Sequence, residues 1–300
     1  MKFKNFTTIL GRIIVFVSFL FLGFLLYKFD FSSIINRVEL FWFPTIVLLS
    51  FIFSFLYIFL AYGWKKLLEI SQNRLLDMGV ISVYLKTVIF KYAPGNVFHF
   101  LGRHSLVKSH GLSNRAIVFA NGAEIILQLI SVGIIIFIGL IFFGVEIDFG
   151  YYFGLSFNTI MMAFALFIFL ISIVVSQKKY RDQLFSYEIL SVIVLQTFFL
   201  VGSSSILIFI YVIFFDVNIS FGLFGNMILI SSIAWLLGFI VPGAPGGIGI
   251  RESTLLLLLP SVLFLSKEEL LAGAIIFRLV TILGEVFTFF LAKLVIPIKE

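Results

Sequence analysis

The chain has 300 residues, of which 61% are hydrophobic and 12% charged, with a mean hydropathy of +1.19. A soluble protein devotes about a quarter of its residues to Asp, Glu, Lys and Arg because its exterior faces water, so halving that share excludes soluble enzyme folds and predicts an exterior that faces lipid. The absence of cysteine removes disulfides, thiolate metal sites and cysteine nucleophiles together, and the excess of 21 Lys and Arg over 15 Asp and Glu gives +6. In a membrane chain that excess reads as cytoplasmic loop charge facing anionic head groups, not as affinity for nucleic acid.

A spanning helix needs about 20 mostly apolar residues. The sequence predicts seven: residues 13–29, 43–62, 116–143, 152–175, 187–215, 221–241 and 270–296. This is an all-α, polytopic membrane protein, read as a single transmembrane domain over residues 1–300. Lys2, Lys4 and Arg12 precede the first span as in a signal peptide, but the apolar run is long and no small-x-small cleavage site follows. It is expected to remain as an uncleaved anchor.

Charge between spans sets orientation. The amino-terminal tail is basic, and residues 64–115 carry Lys65, Lys66, Arg74, Lys86, Lys91, Arg103, Lys108 and Arg115 against Glu69 and Asp77. Both are expected on the cytoplasmic side. Lys178, Lys179 and Arg181 form another basic cluster, whereas Glu146, Asp148 and Asp216 mark acidic connections. The expected location is the plasma membrane, multi-pass, with a cytoplasmic amino terminus.

Two segments do not fit a simple count of spans. Residues 75–110 hold an apolar helix interrupted by Lys86 and Lys91, then Tyr92-Ala93-Pro94-Gly95-Asn96 and Gly102-Arg103-His104. Residues 242–266 run through Pro242-Gly243-Ala244-Pro245-Gly246-Gly247-Ile248-Gly249-Ile250-Arg251-Glu252 into a short apolar stretch. Both suit re-entrant or interfacial helices, and broken backbone at membrane depth requires protein or water to satisfy its amides. Each is followed by a Leu-Ser helix start, Leu112-Ser113 and Leu265-Ser266, the latter with Glu269 as a capping box. Residues 75–143 and 242–296 therefore read either as an internal repeat or as two independent re-entrant loops. The charge count puts both loops on the cytoplasmic side, as a parallel repeat.

Ionisable residues at bilayer depth ask for a partner or a purpose. Glu124 lies nine residues past Arg115, roughly 13 Å into the core at 1.5 Å per residue, and shares a helix face with Asn121, Gln128 and Ser131. Arg278, Thr281, Glu285 and Thr288 make a second stripe. An ion pair between Glu124 and Arg278 would relieve both. The stripes read as interhelical glue or as a path for substrate or protons. Arg103 and Arg251 follow Gly-rich breaks near the expected cytoplasmic interface, where free amides and a guanidinium can converge on a phosphate, although an interfacial arginine can also snorkel. Gly247-Ile248-Gly249 lacks the strand and the third glycine of a dinucleotide fingerprint, and His99, His104 and His110 have no ligand spacing, so no cofactor or metal is expected.

The stretch Pro245-Gly246-Gly247-Ile248-Gly249-Ile250-Arg251-Glu252 before a leucine run, with Lys91-Tyr92-Ala93-Pro94-Gly95-Asn96 and Gly102-Arg103 upstream, resembles the transmembrane region of lysylphosphatidylglycerol synthetases. It also resembles the wider flippase-like family, over residues 13–296. In bifunctional members a soluble aminoacyl-transfer domain follows the membrane region, which moves the modified lipid between leaflets. This chain stops at Glu300, so lysine transfer is not expected of it, and freestanding relatives suggest a cargo in envelope glycolipid and polysaccharide pathways.

The resemblance implies a flippase-like protein for an anionic lipid, either a phospholipid or a polyprenyl-linked glycan, with envelope biosynthesis enzymes as candidate partners. Two other readings are a membrane-embedded transferase using Glu124, Glu252 or Glu285 as general base, and a scaffold for such an enzyme. The candidate head-group site comprises Arg103, Arg251, Gly95, Asn96, Gly246, Gly247, Gly249 and Glu252. The candidate path comprises Asn121, Glu124, Gln128, Arg278, Thr281 and Glu285.

The orientation is testable because the chain has no native cysteine. A cysteine introduced at Lys66 or Lys108 should stay unlabelled by an impermeant maleimide in intact cells and react after lysis. Labelling in intact cells would reverse the orientation.

Overall fold

The computed structural model describes residues 39–92, 98–108, 111–143, 187–240 and 245–295. Regular structure among them is helical throughout: α1 (Trp42–Gln72), α2 (Gly79–Thr87), α3 (Phe98–Val107), α4 (Asn114–Phe142), α5 (Tyr187–Phe215), α6 (Phe221–Ile240), α7 (Ile250–Leu258) and α8 (Lys267–Val295), with α2 tightening into a 3-10 turn over Val88–Tyr92. The helices α1, α4, α5, α6 and α8 are each long and apolar enough to cross a bilayer. They match five of the seven expected spans; residues 13–29 and 152–175 lie outside the described residues.

Local chemistry sets the helix ends. The Ser113 hydroxyl accepts from the Ala116 amide at 3.2 Å and so caps α4. Ser266 and Glu269 form the expected capping box before α8: the Ser266 hydroxyl accepts from the Glu269 amide at 3.2 Å, and the Glu269 carboxylate accepts from the Ser266 amide at 3.0 Å. Asn73 ends α1 in a left-handed conformation, φ 50°.

Lipid tails are as apolar as leucine, so spanning helices associate through close packing at small residues. Gly202 of α5 lies against Leu56 of α1, and Gly284 of α8 lies against the Ser50 carbonyl and the Phe53 ring of α1. The contacts also fix direction. Trp42 at the start of α1 meets Phe214 at the end of α5, while Lys66 near the end of α1 lies over the Tyr187 ring at the start of α5. These two helices are antiparallel. The end of α1 meets the start of α4 through Gln72 and Ser113, so α4 is antiparallel to α1 as well, and α6 is antiparallel to α4, with Gly225 on Phe143 and Leu229 on Gly139. The last helix, α8, starts at the opposite end, where the Tyr211 hydroxyl donates to the Leu270 carbonyl at 2.7 Å, and runs parallel to α1.

Helices of nine and ten residues rise only about 14 to 15 Å, half a bilayer core. The pair α2 and α3 enters from the end where α1 finishes and α4 begins, and the Ser82 hydroxyl at that end donates to Ala292 near the end of α8. The second break lies between α6 and α7, whose residues lead back to the start of α8 at the other end. The two broken hairpins therefore enter from opposite ends and meet midway, where a Cβ on Gly246 would sit 2.9 Å from the Tyr92 ring.

That arrangement corrects the expectation that both loops are cytoplasmic and parallel. The charge count went wrong over residues 242–266 because their charges, Arg251 and Glu252, are drawn into the centre of the bundle and report nothing about which side the loop is on.

The α1–α8 contact is the tightest of these small-residue approaches that involves backbone. Gly284→Val would bring a Cβ to 2.7 Å from the Ser50 carbonyl oxygen and from Phe53. It should destabilise the fold by about 1 to 3 kcal/mol, read as a lowered unfolding midpoint in detergent, whereas Gly222→Ala, which meets nothing within 4 Å, should leave it unchanged.

Candidate functional site

Charges inside the bundle dictate the centre of the structure. Glu124, Glu252 and Glu285 are 5%, 3% and 2% exposed, and each engages a cation. A carboxylate at that depth without one would cost several kcal/mol.

Arg103 of α3 donates to Glu124 of α4 at 2.5 Å and stacks 3.6 Å from the centroid of the Tyr84 ring, while the Tyr84 hydroxyl donates to the other oxygen of Glu124. Lys91, in the 3-10 turn after α2, pairs with Glu285 of α8, which also accepts from the Tyr57 hydroxyl of α1 at 2.8 Å. Glu252 serves two purposes in α7. One oxygen accepts from the Gly249 amide at 2.7 Å and closes the first turn, and the other lies 3.6 Å from Nε of Arg278. Arg278 then donates to the Gly246 carbonyl at 3.0 Å, which ties α8 to the tip of the second hairpin. Gly246, Gly247 and Gly249 all have positive φ, a backbone region that side chains rarely adopt, so the tip requires glycine.

Between the two tips lies a cavity of about 80 Å³, lined by residues of both hairpins and of α1, α4, α5 and α6, including Tyr84, Lys91, Arg103, Gln128, Trp235 and Arg251. Its polar walls are mostly donors. Nε of Arg103, Nε2 of Gln128 and Nε of Arg251 on the wall, and both Nε and the second terminal nitrogen of Arg278 and the Tyr92 hydroxyl beside Gly246, are buried with no hydrogen-bond partner among the described residues; two atoms able to accept, Nδ1 of His99 and Oε2 of Glu285, share that state. Buried donors in native proteins are normally satisfied by protein, water or ligand. A cluster of them around one space suits acceptors that arrive from outside, such as phosphate oxygens.

Arg251, Gly246 and Gln128 line the cavity, and Gly247, Gly249 and Glu252 build the turn that carries Gly246 and Arg251. Gly95 and Asn96 lie outside the described residues. Arg103 is not an exposed interfacial arginine: it is 4% exposed and committed to Glu124, because a guanidinium at bilayer depth finds the nearest carboxylate. The expected pairing of Glu124 with Arg278 is likewise replaced by Glu124 with Arg103 and Arg278 with Glu252. Asn121 accepts from the Trp64 indole at 2.9 Å, and Thr281 and Thr288 donate back to carbonyls of α8 itself, which is helix glue. Lys91, Tyr57, Tyr84, Tyr92 and Trp235 are not among the candidate site residues that the sequence offers, although Lys91 and Tyr92 belong to the upstream motif. A balance of buried acids against buried bases would have found Lys91; the rings carry no such signal.

The family model for the lysylphosphatidylglycerol synthase TM region matches residues 9–287. No curated protein and no solved structure matches the chain.

The pairing makes a mutational cycle decisive. Arg103→Gln alone strands Glu124 and should cost about 3 to 5 kcal/mol, and Glu124→Gln strands Arg103 in the same way, whereas the double variant should recover much of the loss. Glu124→Gln with Arg278→Gln should show far weaker coupling in the same unfolding measurement. Strong coupling there and none between 103 and 124 would contradict the assignment.

Proposed function

The chain belongs to the lysylphosphatidylglycerol synthase transmembrane-region family, and we propose that it is a flippase-like protein that takes a lipid with an anionic head group across the bilayer. The head group, of a phospholipid or a polyprenyl-linked glycan, enters the central cavity while the tails stay in lipid. The setting is the plasma membrane, in cell-envelope biogenesis, with envelope biosynthesis enzymes as partners.

The observation that carries this reading is the set of buried donors without acceptors around one cavity, midway through the bundle, at the meeting point of two broken hairpins. A head group crossing lipid must exchange its water for fixed donors, since an unpaired phosphate at that depth is prohibitive. Secondary transporters commonly place their substrates midway, in discontinuous helices. The hairpins entering from opposite ends fit that pattern, with one tip facing each leaflet. The transferase reading is weakened because Glu124, Glu252 and Glu285 are each held by a cation, leaving none as a ready general base.

Arg251 is the residue on which the proposal turns, because the other three cations of the cluster already hold carboxylates. Arg251→Ala should weaken binding of phosphatidylglycerol about ten- to a hundredfold, the worth of a charge-assisted phosphate contact, without lowering the unfolding midpoint. In proteoliposomes carrying fluorescent phosphatidylglycerol, the variant should slow the movement of label between leaflets. Movement at the wild-type rate would remove Arg251 from the path, and no movement by the wild type would remove the function.

A further inference from the structure

We infer that the cavity selects its head group by net charge, accepting one negative charge in preference to none or two, and that Arg251 sets this preference. The inference rests on the lipid reading above and adds to it the class of head group.

The cluster around the cavity holds four cations, Lys91, Arg103, Arg251 and Arg278, and three carboxylates, Glu124, Glu252 and Glu285. Three ion pairs form, Lys91 with Glu285, Arg103 with Glu124 and Arg278 with Glu252, and Arg251 is left over. Among the described residues no carboxylate lies within ion-pair distance of Arg251; its guanidinium sits 5.6 Å over the Trp235 ring. His99, the remaining basic side chain on the wall, adds no charge in the test below, since an imidazole is ordinarily neutral well above pH 7. The segments that flank the two tips, residues 93–97 and 241–244, contain no ionisable residue. Among the described residues the site therefore carries one uncompensated positive charge.

Shape, not an acid, holds Arg251 in place. A Cβ on Gly238 would fall 2.5 Å from its Cγ, and one on Gly247 would fall 2.9 Å from its Nε, so two glycines form a slot for the side chain. An arginine positioned this way keeps its charge available to a ligand. The wall also offers Gln128, 5% exposed, whose unpartnered Nε2 is a neutral donor that can complete the coordination of an anion without altering the charge balance. The cavity volume of about 80 Å³ has room for two or three waters at about 30 Å³ each, the scale of one phosphate rather than of a sugar.

Charge interactions at low dielectric are far stronger than in water, so the match of net charge weighs more than in an open site. A phosphodiester neutralises the cluster. A zwitterionic head group leaves the extra positive charge in place, and a phosphomonoester with two charges overshoots it.

The test compares four probes on the purified protein by native mass spectrometry at pH 8.5: phosphatidylglycerol, phosphatidylcholine, phosphatidic acid with the same chains, and water-soluble glycerol 3-phosphate. At that pH a phosphomonoester is close to doubly charged. Phosphatidylglycerol should bind about ten- to a hundredfold more tightly than phosphatidylcholine, and more tightly than phosphatidic acid. Arg251→Gln should bring phosphatidylglycerol and phosphatidylcholine within about twofold of each other, with no fall in unfolding midpoint because no ion pair is lost. Gln128→Glu adds a negative charge on the wall with Arg251 intact, and should erase the preference in the same way. A wild type that binds all three lipids equally, or an Arg251→Gln variant that keeps the full preference, overturns the charge rule while leaving a lipid site standing. A wild type that binds no lipid overturns the lipid reading itself. Displacement of phosphatidylglycerol by glycerol 3-phosphate at equal concentration would overturn the charge rule, because that ester carries close to two charges at this pH, and would assign the site to a free phosphate ester.

Discussion

A charge placed midway across a bilayer needs a counter-charge, and this structure is organised around meeting that requirement for six of the seven charges gathered in one place, with Arg251 left over. Each isolated charge costs about 2.5 to 3.5 kcal/mol on insertion scales. Lys91 and Arg103 come from the hairpin that enters at one end, Arg251 and Glu252 from the one that enters at the other, and Glu124, Arg278 and Glu285 from the spanning helices α4 and α8. None of these elements satisfies its own charges. The hairpin tips are thus tied to the spans, and the cavity between them follows from the geometry of the ties.

Packing serves the same end. Rings occupy positions where they can both fill space and face a cation: Tyr84 under Arg103, Trp235 under Arg251, Tyr92 beside Arg278. Glycines supply what rings cannot, close approach of α8 to α1 and the left-handed turns after Pro245. In a medium where apolar contact between helices gains little over contact with lipid, such close fits and polar ties carry much of the specificity of the fold.

Much of this was legible in the sequence. Long apolar runs between charged segments located the five spans among the described residues, and Ser113, Ser266 and Glu269 marked two helix starts. The Pro-Gly breaks at membrane depth pointed to re-entrant structure, and a Gly-rich motif pointed to Arg251. What could not be read was partnership. Glu124 and Arg278 stand at similar depths on their helices, which made them natural partners on paper, but depth along an axis says nothing about which face turns toward which neighbour. Arg103 lies only 21 residues before Glu124 and takes it instead. The direction of the second hairpin was equally hidden, since loop charge reports sidedness only for charges that stay in the loop.

The ion pairs differ in how far apart in the chain their members lie, and that difference sets an order of assembly. Arg103 and Glu124, 21 residues apart, can neutralise each other while the chain is still being made. Lys91 and Glu285 are 194 residues apart, so the ribosome must finish α8 before Lys91 has its carboxylate. Until then Lys91 has no carboxylate at depth, and an unpaired ammonium is better solvated at the surface than in the bilayer core. A nascent chain arrested before α8 should accordingly leave Lys91 open to amine-reactive reagents that no longer reach it in the finished protein.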